Sequence, residues 1–220
     1  MTTLTANPLA PLLDRLLKEA DETSPSDNPA LADLFHDQDR LLQSKTEYRA
    51  FYGHLKDFPL AISRQTGVLL YMLARACRAQ NIVEFGTSFG ISTLYLAAAL
   101  RDNGGGRLIT SEFEPSKVAR ARENLAAGGL IDLVEFREGD ALQTLSVGLP
   151  ETIDLILLDG AKSLYSEILN LVESRLRPGS FVVADNTDYS PEYMARVCSP
   201  EGGYLSLSFA DDVEVSMRLV

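Results

Sequence analysis

Tryptophan is absent from these 220 residues, cysteine and histidine occur twice each, and 20 basic residues face 31 acidic ones. The two thiols, Cys77 and Cys198, lack CxxC spacing. With only His36 and His54 to join them, neither a zinc site nor thiol redox chemistry has the ligands it needs. They read as small apolar side chains. A formal net charge of −11, with no local Lys/Arg cluster to offset it, repels a phosphate backbone and excludes nucleic acid as a partner. No apolar run reaches about 18 residues, so no membrane partner is expected. In MTTLTANPLAPLLDRLL the first basic residue, Arg15, follows the apolar stretch instead of preceding it. A secretory leader has the opposite order, and a cytoplasmic protein is expected.

What is present is alternation. The first sixty residues read as a peripheral helical extension. Leu9, Leu12, Leu13, Leu16 and Leu17 recur at helical spacing, a breaker stretch runs from Ser24 to Pro29, and further helices are expected from about Ala30 and over Glu47 to Lys56. A helix ending near Arg78 then leads into short β runs at 81–85, 107–111, 133–137, 153–158 and 180–184, with helical segments between them, among them 115–127 and 163–175. Runs such as IDLILL and FVVA are nearly all apolar, which implies strands of a parallel sheet covered on both faces. Residues 204–209 alternate instead, and an Ala-Asp-Asp turn leads to VEVSMRL, a closing hairpin whose last strand enters the sheet antiparallel. The expected fold is therefore a doubly wound, Rossmann-like α/β sheet. Residues 1–60 form its extension and residues 61–220 the ligand-binding domain, in one compact unit.

Ligands of such sheets bind beyond the carboxyl ends of the strands. The first strand ends in Glu84-Phe85-Gly86-Thr87-Ser88-Phe89-Gly90. Two glycines four apart allow a tight turn and close backbone approach, but the middle glycine of a dinucleotide fingerprint is missing, which disfavours a diphosphate. Glu84, two residues before the first glycine, suits a cationic ligand better. Glu112 ends the second strand, where a carboxylate accepts from both hydroxyls of a ribose; the other reading of such an acid is a helix cap, a role that fits Glu114 better. Asp140, in Glu138-Gly139-Asp140-Ala141, stands where it can accept from the exocyclic amine of adenine. Three such signals at three consecutive strand ends point to an adenosine pocket.

Asp159 ends the fourth strand, and Asp185 with Asn186 the fifth. On neighbouring strands these ends lie ~5 Å apart. Two carboxylates so placed repel unless one is protonated or a cation lies between them, and two carboxylates with an amide oxygen form a partial shell for Mg²⁺, Mn²⁺ or Ca²⁺. Asp and Asn also favour turns after strands, and spacing alone leaves that alternative open. Lys162 follows Asp159 by three residues; beside a dication its pKa should fall, fitting it to take a proton from a hydroxyl.

The segments IVEFGTSFGIS, RLITSEFEPSKVARARENL, EGDAL, IDLILLDGAKSLY and LRPGSFVVADN resemble the catechol and caffeoyl-CoA type O-methyltransferases, the small cation-dependent branch of the class I S-adenosylmethionine-dependent methyltransferases. The resemblance runs from about Leu60 onward. It implies that Glu84, Gly86 and Ser92 hold the methionine part of S-adenosylmethionine, helped by Ile62 and the Thr87–Ser88 turn beside Gly90. Glu112 would hold the ribose, and Asp140 with Ala141 the adenine. Asp159, also at the edge of the cofactor site, would join Asp185 and Asn186 as the metal ligands, and Lys162 would be the base. A homodimer and a small phenolic acceptor belong to the same expectation. The match thins at Gly160-Ala161, small residues where the family often carries an aromatic or an acid, and after Asn186, where no acceptor-binding insertion is recognisable. Tyr189 and Tyr193 there read as wall or surface residues. Three rivals share the fold: a metal-independent methyltransferase, a nicotinamide oxidoreductase and a non-catalytic adenosine-binding module. The missing third glycine speaks against the second, and Lys162 beside three metal ligands against the third.

Overall fold

In the computed structural model, which describes residues 2–210 and 212–220, the chain opens with α1 (Leu9–Glu22). Three short helices follow: α2 (Ala32–His36), α3 (Gln38–Leu42) and α4 (Tyr48–His54). The second expected helix is thus broken at Asp37. After α5 (Arg64–Ala76) the alternation begins with β1 (Asn81–Phe85), α6 (Ile91–Asp102), β2 (Arg107–Glu112), α7 (Pro115–Ala127), β3 (Val134–Glu138) and α8 (Ala141–Thr144). It continues with β4 (Ile153–Leu158), α9 (Tyr165–Val172), β5 (Leu176–Ala184), α10 (Pro191–Val197), β6 (Tyr204–Phe209) and β7 (Val213–Arg218).

The seven strands form one sheet in the order β3-β2-β1-β4-β5-β7-β6, parallel except where β7 runs antiparallel between β5 and β6. This is the doubly wound, mostly parallel sheet expected from the sequence, with its reversal at the end. β5 starts four residues earlier than its apolar run suggests. Its register against β4 slips across Arg177-Pro178-Gly179, where proline has no N–H to give. Ser180 bridges the gap: its Oγ accepts from the Arg177 amide at 3.1 Å and donates to the Ile153 carbonyl at 2.7 Å.

Alternate strand residues divide two cores. Ile82, Leu108, Leu155, Leu157 and Val183 face α1, α5, α6 and α7, whereas Val83, Ile109, Ile156, Leu158 and Val182 face α8, α9 and α10. All five leucines of the α1 stripe are buried in the first core, so this helix packs as part of the sheet's cover. Residues 29–56 form an arm instead. Leu41, Leu42, Phe51 and Leu55 form a small separate cluster, joined by Tyr189, and these helices line the cleft at the carboxyl ends of β4 and β5. Among the described residues no helix is long and apolar enough to cross a membrane.

Candidate active site

The loop after β1 is shaped by close backbone approach. Gly86 has φ +102°, and a Cβ there would overlap the carbonyl oxygen of Asp159, because the main chains after β1 and β4 touch. Ser88 and Gly90 also take positive φ, and the Asn124 amide holds the Phe89 carbonyl at 2.9 Å. Under this loop Glu84 is fully buried, its carboxylate accepting from the hydroxyls of Ser92, Thr93 and Thr110 at 2.6 Å each. Burial, only partly offset by those three donors, pushes its pKa up to about 7. Glu84 and Gly90 shape the loop from behind and line none of the cavities described next.

Two adjoining cavities open at this loop. The larger, ≈ 60 Å³, is lined by Gly86, Ser88, Glu112, Asp140, Ala141 and Asp159 among the residues picked out from sequence. The smaller, ≈ 10 Å³, is bordered by Ile62, Thr87 and Ser92 and shares Gly86, Ser88 and Asp159 with the first. Glu112 accepts from three backbone amides, Ser88 at 2.9 Å, Phe113 at 2.9 Å and Glu114 at 3.0 Å, which fixes its carboxylate at the cavity wall. Glu114 caps α7 through the Ser116 amide at 3.2 Å. Asp140 has a double engagement: one oxygen caps α8 at the Leu142 amide (3.0 Å) and the other pairs with Arg49 of α4. Sequence reasoning missed the walls. Tyr48, Tyr52, Leu60, Phe113 and Lys117 all line the larger cavity; Phe113 and Lys117 lie within RLITSEFEPSKVARARENL but were given no role there, and only position beside Glu112, or in the arm, could have flagged the five.

Beyond Asp159 lies a wider cleft of ≈ 790 Å³ between the arm and the ends of β4 and β5. Leu158 and Ala184 are partners in the parallel ladder, and this places Asp159 beside Asp185. The Lys162 ammonium donates to Asp159 Oδ1 at 2.8 Å, and only 6% of its surface is exposed. Burial pulls that ammonium down, but Asp159, with Tyr165 and Tyr52 behind it, outweighs burial and holds Lys162 well above the ordinary lysine range. Protein groups alone therefore raise Lys162, opposite to the fall expected beside a dication. Asp185 is pushed up to about 7 by burial and by the nearby Asp159. Its main chain is pinned from below, the Tyr165 hydroxyl donating to the Asp185 carbonyl at 2.7 Å, and Ser190 donates to the Lys162 carbonyl. Asn186 takes a left-handed backbone, φ +50°, and its amide nitrogen donates to Asp212 in the β6–β7 turn at 3.0 Å, leaving its oxygen to other partners. Tyr189 lines the cleft beside the arm, while Tyr193 is buried in the second core. Tyr52 separates cleft from cavity; burial pushes its phenol up to about 12, so it faces both as a neutral hydroxyl.

These features can be tested against the groups that the fold implies. Ser88 Oγ is buried at the wall shared by both small cavities and has no hydrogen-bond partner among the described residues, as a polar ligand contact would have before the ligand binds. A fixed carboxylate (Glu112) and a flat apolar wall (Phe113) suit a nucleoside. For a metal, no trio of His, Cys, Asp and Glu among the described residues is arranged to hold an ion alone. The candidate donors are two carboxylates and an amide, a hard oxygen set that would leave the rest of an octahedron to water and substrate. Both sets fit.

The methyltransferase-domain family matches residues 83–187, the stretch from β1 to just past Asn186. A catechol O-methyltransferase of Niastella koreensis is 38% identical over 130 residues, 58% of each chain. The chain spans less than two thirds of the length of the first curated relatives it matches. Among solved structures, one from Klebsiella pneumoniae shares the fold with a TM-score of 0.69 at 23% identity, covering 96% of this chain and 90% of that one. The O-methyltransferase TomG of Streptomyces achromogenes, solved in complex with SAM, is 26% identical with a TM-score of 0.64, covering 86% of this chain and 96% of its own. The sheet order, the loop after β1 and these likenesses agree: residues 83–187 match the methyltransferase-domain family, and the chain is similar to catechol O-methyltransferases.

Proposed function

We propose that the protein is an S-adenosylmethionine-dependent O-methyltransferase that acts on a small phenolic, catechol-like acceptor with the help of a divalent cation. The observation that carries this reading is the position of Asp159, the one charged residue common to both small cavities and the wide cleft. A donor bound along Gly86–Glu112 and an acceptor seated by Lys162 would meet there.

S-adenosylmethionine would supply an electrophilic methyl group, and its binders are the residues already placed: Ile62, Gly86, Thr87, Ser88, Ser92, Glu112, Asp140 and Ala141, with Glu84 and Gly90 setting the loop. A dication at Asp159, Asp185 and Asn186, Mg²⁺ first among candidates, would lower the ionisation cost of a phenol, whose ordinary pKa is ~10. Lys162 is an ammonium against Asp159; only once that carboxylate is engaged elsewhere would it release its proton to solvent and, as a neutral amine, take one from the acceptor hydroxyl. Tyr165 keeps Asp185 in place through its carbonyl. Tyr52 and the arm exclude water from the meeting point, so that most of the acceleration comes from placing oxygen against carbon.

On this reading residues 1–60 extend a cofactor-binding domain formed by 61–220: α1 covers its sheet, and residues 29–56 act as an arm over its cleft. We also read the protein as a homodimer. Support comes from the exposed leucines of edge strand β6, Leu205 (62%) and Leu207 (72%), which lie on one face of the sheet.

The test is turnover of S-adenosylmethionine with a simple catechol, after chelation and then with Mg²⁺ or Mn²⁺ restored. Methylation that returns with the metal supports the scheme. Cofactor binding without methylation under any metal leaves the nucleoside site standing and removes the acceptor chemistry. A second reading, metal-independent transfer, is favoured by the Lys162–Asp159 pair, since it already neutralises one carboxylate; activity that survives both chelation and Asp185→Asn selects it.

A further inference from the structure

Lys117 stands out among the walls of the nucleoside cavity. It lies in the first turns of α7, one turn after Glu114, and only 4% of its surface is exposed. It lines the larger cavity together with Glu112, Phe113 and Ser88. Among the described residues its ammonium has neither a hydrogen-bond nor an ion-pair partner within reach. The ring of Phe89, 6.0 Å away at its centroid, is an apolar neighbour at the limit of a cation–π contact. The charged groups that act on it are Glu112, Glu114, Asp159 and Asp57, and burial still lowers its pKa. A buried ammonium without a direct partner is costly to keep. The acid that acts on it most, Glu112, already accepts from three backbone amides and has one lone-pair site left to offer.

We infer that Lys117 is a positioning residue for the nucleoside, donating to a ribose hydroxyl oxygen opposite Glu112. This rests on the cofactor reading above and adds to it a donor to which the resemblance gave no role. The chemistry is complementary. Each ribose hydroxyl has one proton to give and lone pairs to fill. Glu112, an acceptor only, takes protons and leaves those lone pairs bare in a cavity closed off by Tyr48 and Tyr52. An ammonium with three donors fills them, and the ligand in turn supplies the acceptor that the protein withholds. The diol is then clamped between an acceptor and a donor, and the pocket selects ribose over deoxyribose.

The experiment is calorimetric binding of S-adenosylhomocysteine and of its 2′-deoxy and 3′-deoxy analogues to the wild type, Lys117→Met and Lys117→Arg. If Lys117 holds the sugar, Lys117→Met weakens S-adenosylhomocysteine roughly 10- to 100-fold, the range for a hydrogen bond to a charged group. It then weakens at least one deoxy analogue much less, and Lys117→Arg recovers part of the loss. An equal loss for all three ligands, or no loss, overturns the contact and leaves Lys117 as a counter-charge for Glu112. Should Lys117→Met fail to give a native near-UV spectrum, the comparison of Lys117→Arg with the wild type over the same ligands decides. A wild type that binds none of them overturns the cofactor reading itself, an outcome distinct from a wild type that binds all three with no preference for ribose.

Discussion

Asp159 and Lys162 form a pair whose two halves have different tasks, and the difference is measurable. Lys162→Met should lower kcat by about 10²–10⁴-fold, the usual share of a positioned base, while S-adenosylhomocysteine affinity stays within about twofold. A matching loss of affinity would make Lys162 part of the donor site instead. Glu84 gives a second test at this scale. Its folded pKa, about 7, lies above the ordinary 4.5, so the buried carboxyl is favoured in its protonated form. The stability it lends is full below about pH 4.5 and is lost as pH rises through 7, a change on the order of 3 kcal/mol at most. Glu84→Gln should therefore flatten the fall in denaturation midpoint between pH 5 and 8. Parallel curves for the two proteins would mean that the three surrounding hydroxyls carry the ionised form without cost.

At the scale of elements, the strands were legible because a parallel strand buried on both faces has no choice but to be apolar. IDLILL is strand β4 without a residue to spare, and α7 keeps the limits that Pro115 and Glu114 set for it. The acids at strand ends were legible for a related reason, since the topology turns consecutive strand ends into neighbours. The arm was not. Its helices are five to seven residues long, too short for a 3.6-residue period to declare a face, and their partners lie far along the chain, 91 positions away for Arg49 with Asp140 and 122 for Lys45 with Glu167. Lys117 and Phe113 escaped notice because a cavity wall needs only a side chain of suitable size, with no fixed spacing. The separate small cluster of the arm has a dynamic consequence. Its amides should exchange faster than those of β1, β4 and β5, and S-adenosylhomocysteine should slow exchange over residues 45–56 in particular. Uniform protection across the chain, unaltered by ligand, would mean that the arm is as fixed as the sheet.

For the whole molecule, surface charge and surface grease point in opposite directions. A net charge of −11 keeps copies apart at low salt, whereas the β6 leucines favour association once charge is screened. Sedimentation should show a dimer that strengthens with salt. Leu205→Glu with Leu207→Glu should give a folded monomer, and a double variant that still sediments as a dimer would place the contact elsewhere. The affinity for S-adenosylhomocysteine should not change in that variant, since β6 stands at the far edge of the sheet from β1 and β2.

The order of the strands also dictates an order in time. β7 is the last strand along the chain, yet it lies inside the sheet, between β5 and β6. A nascent chain emerging from the ribosome can assemble β1 to β5 and their helices, including the larger of the two small cavities, while the hydrogen-bonding edge of β5 is still bare. During that interval the half-made protein presents an open template to any extended chain nearby. The turn that carries Asp212 to Asn186 arrives with β7, so the rim of the acceptor cleft closes only as that exposed edge disappears.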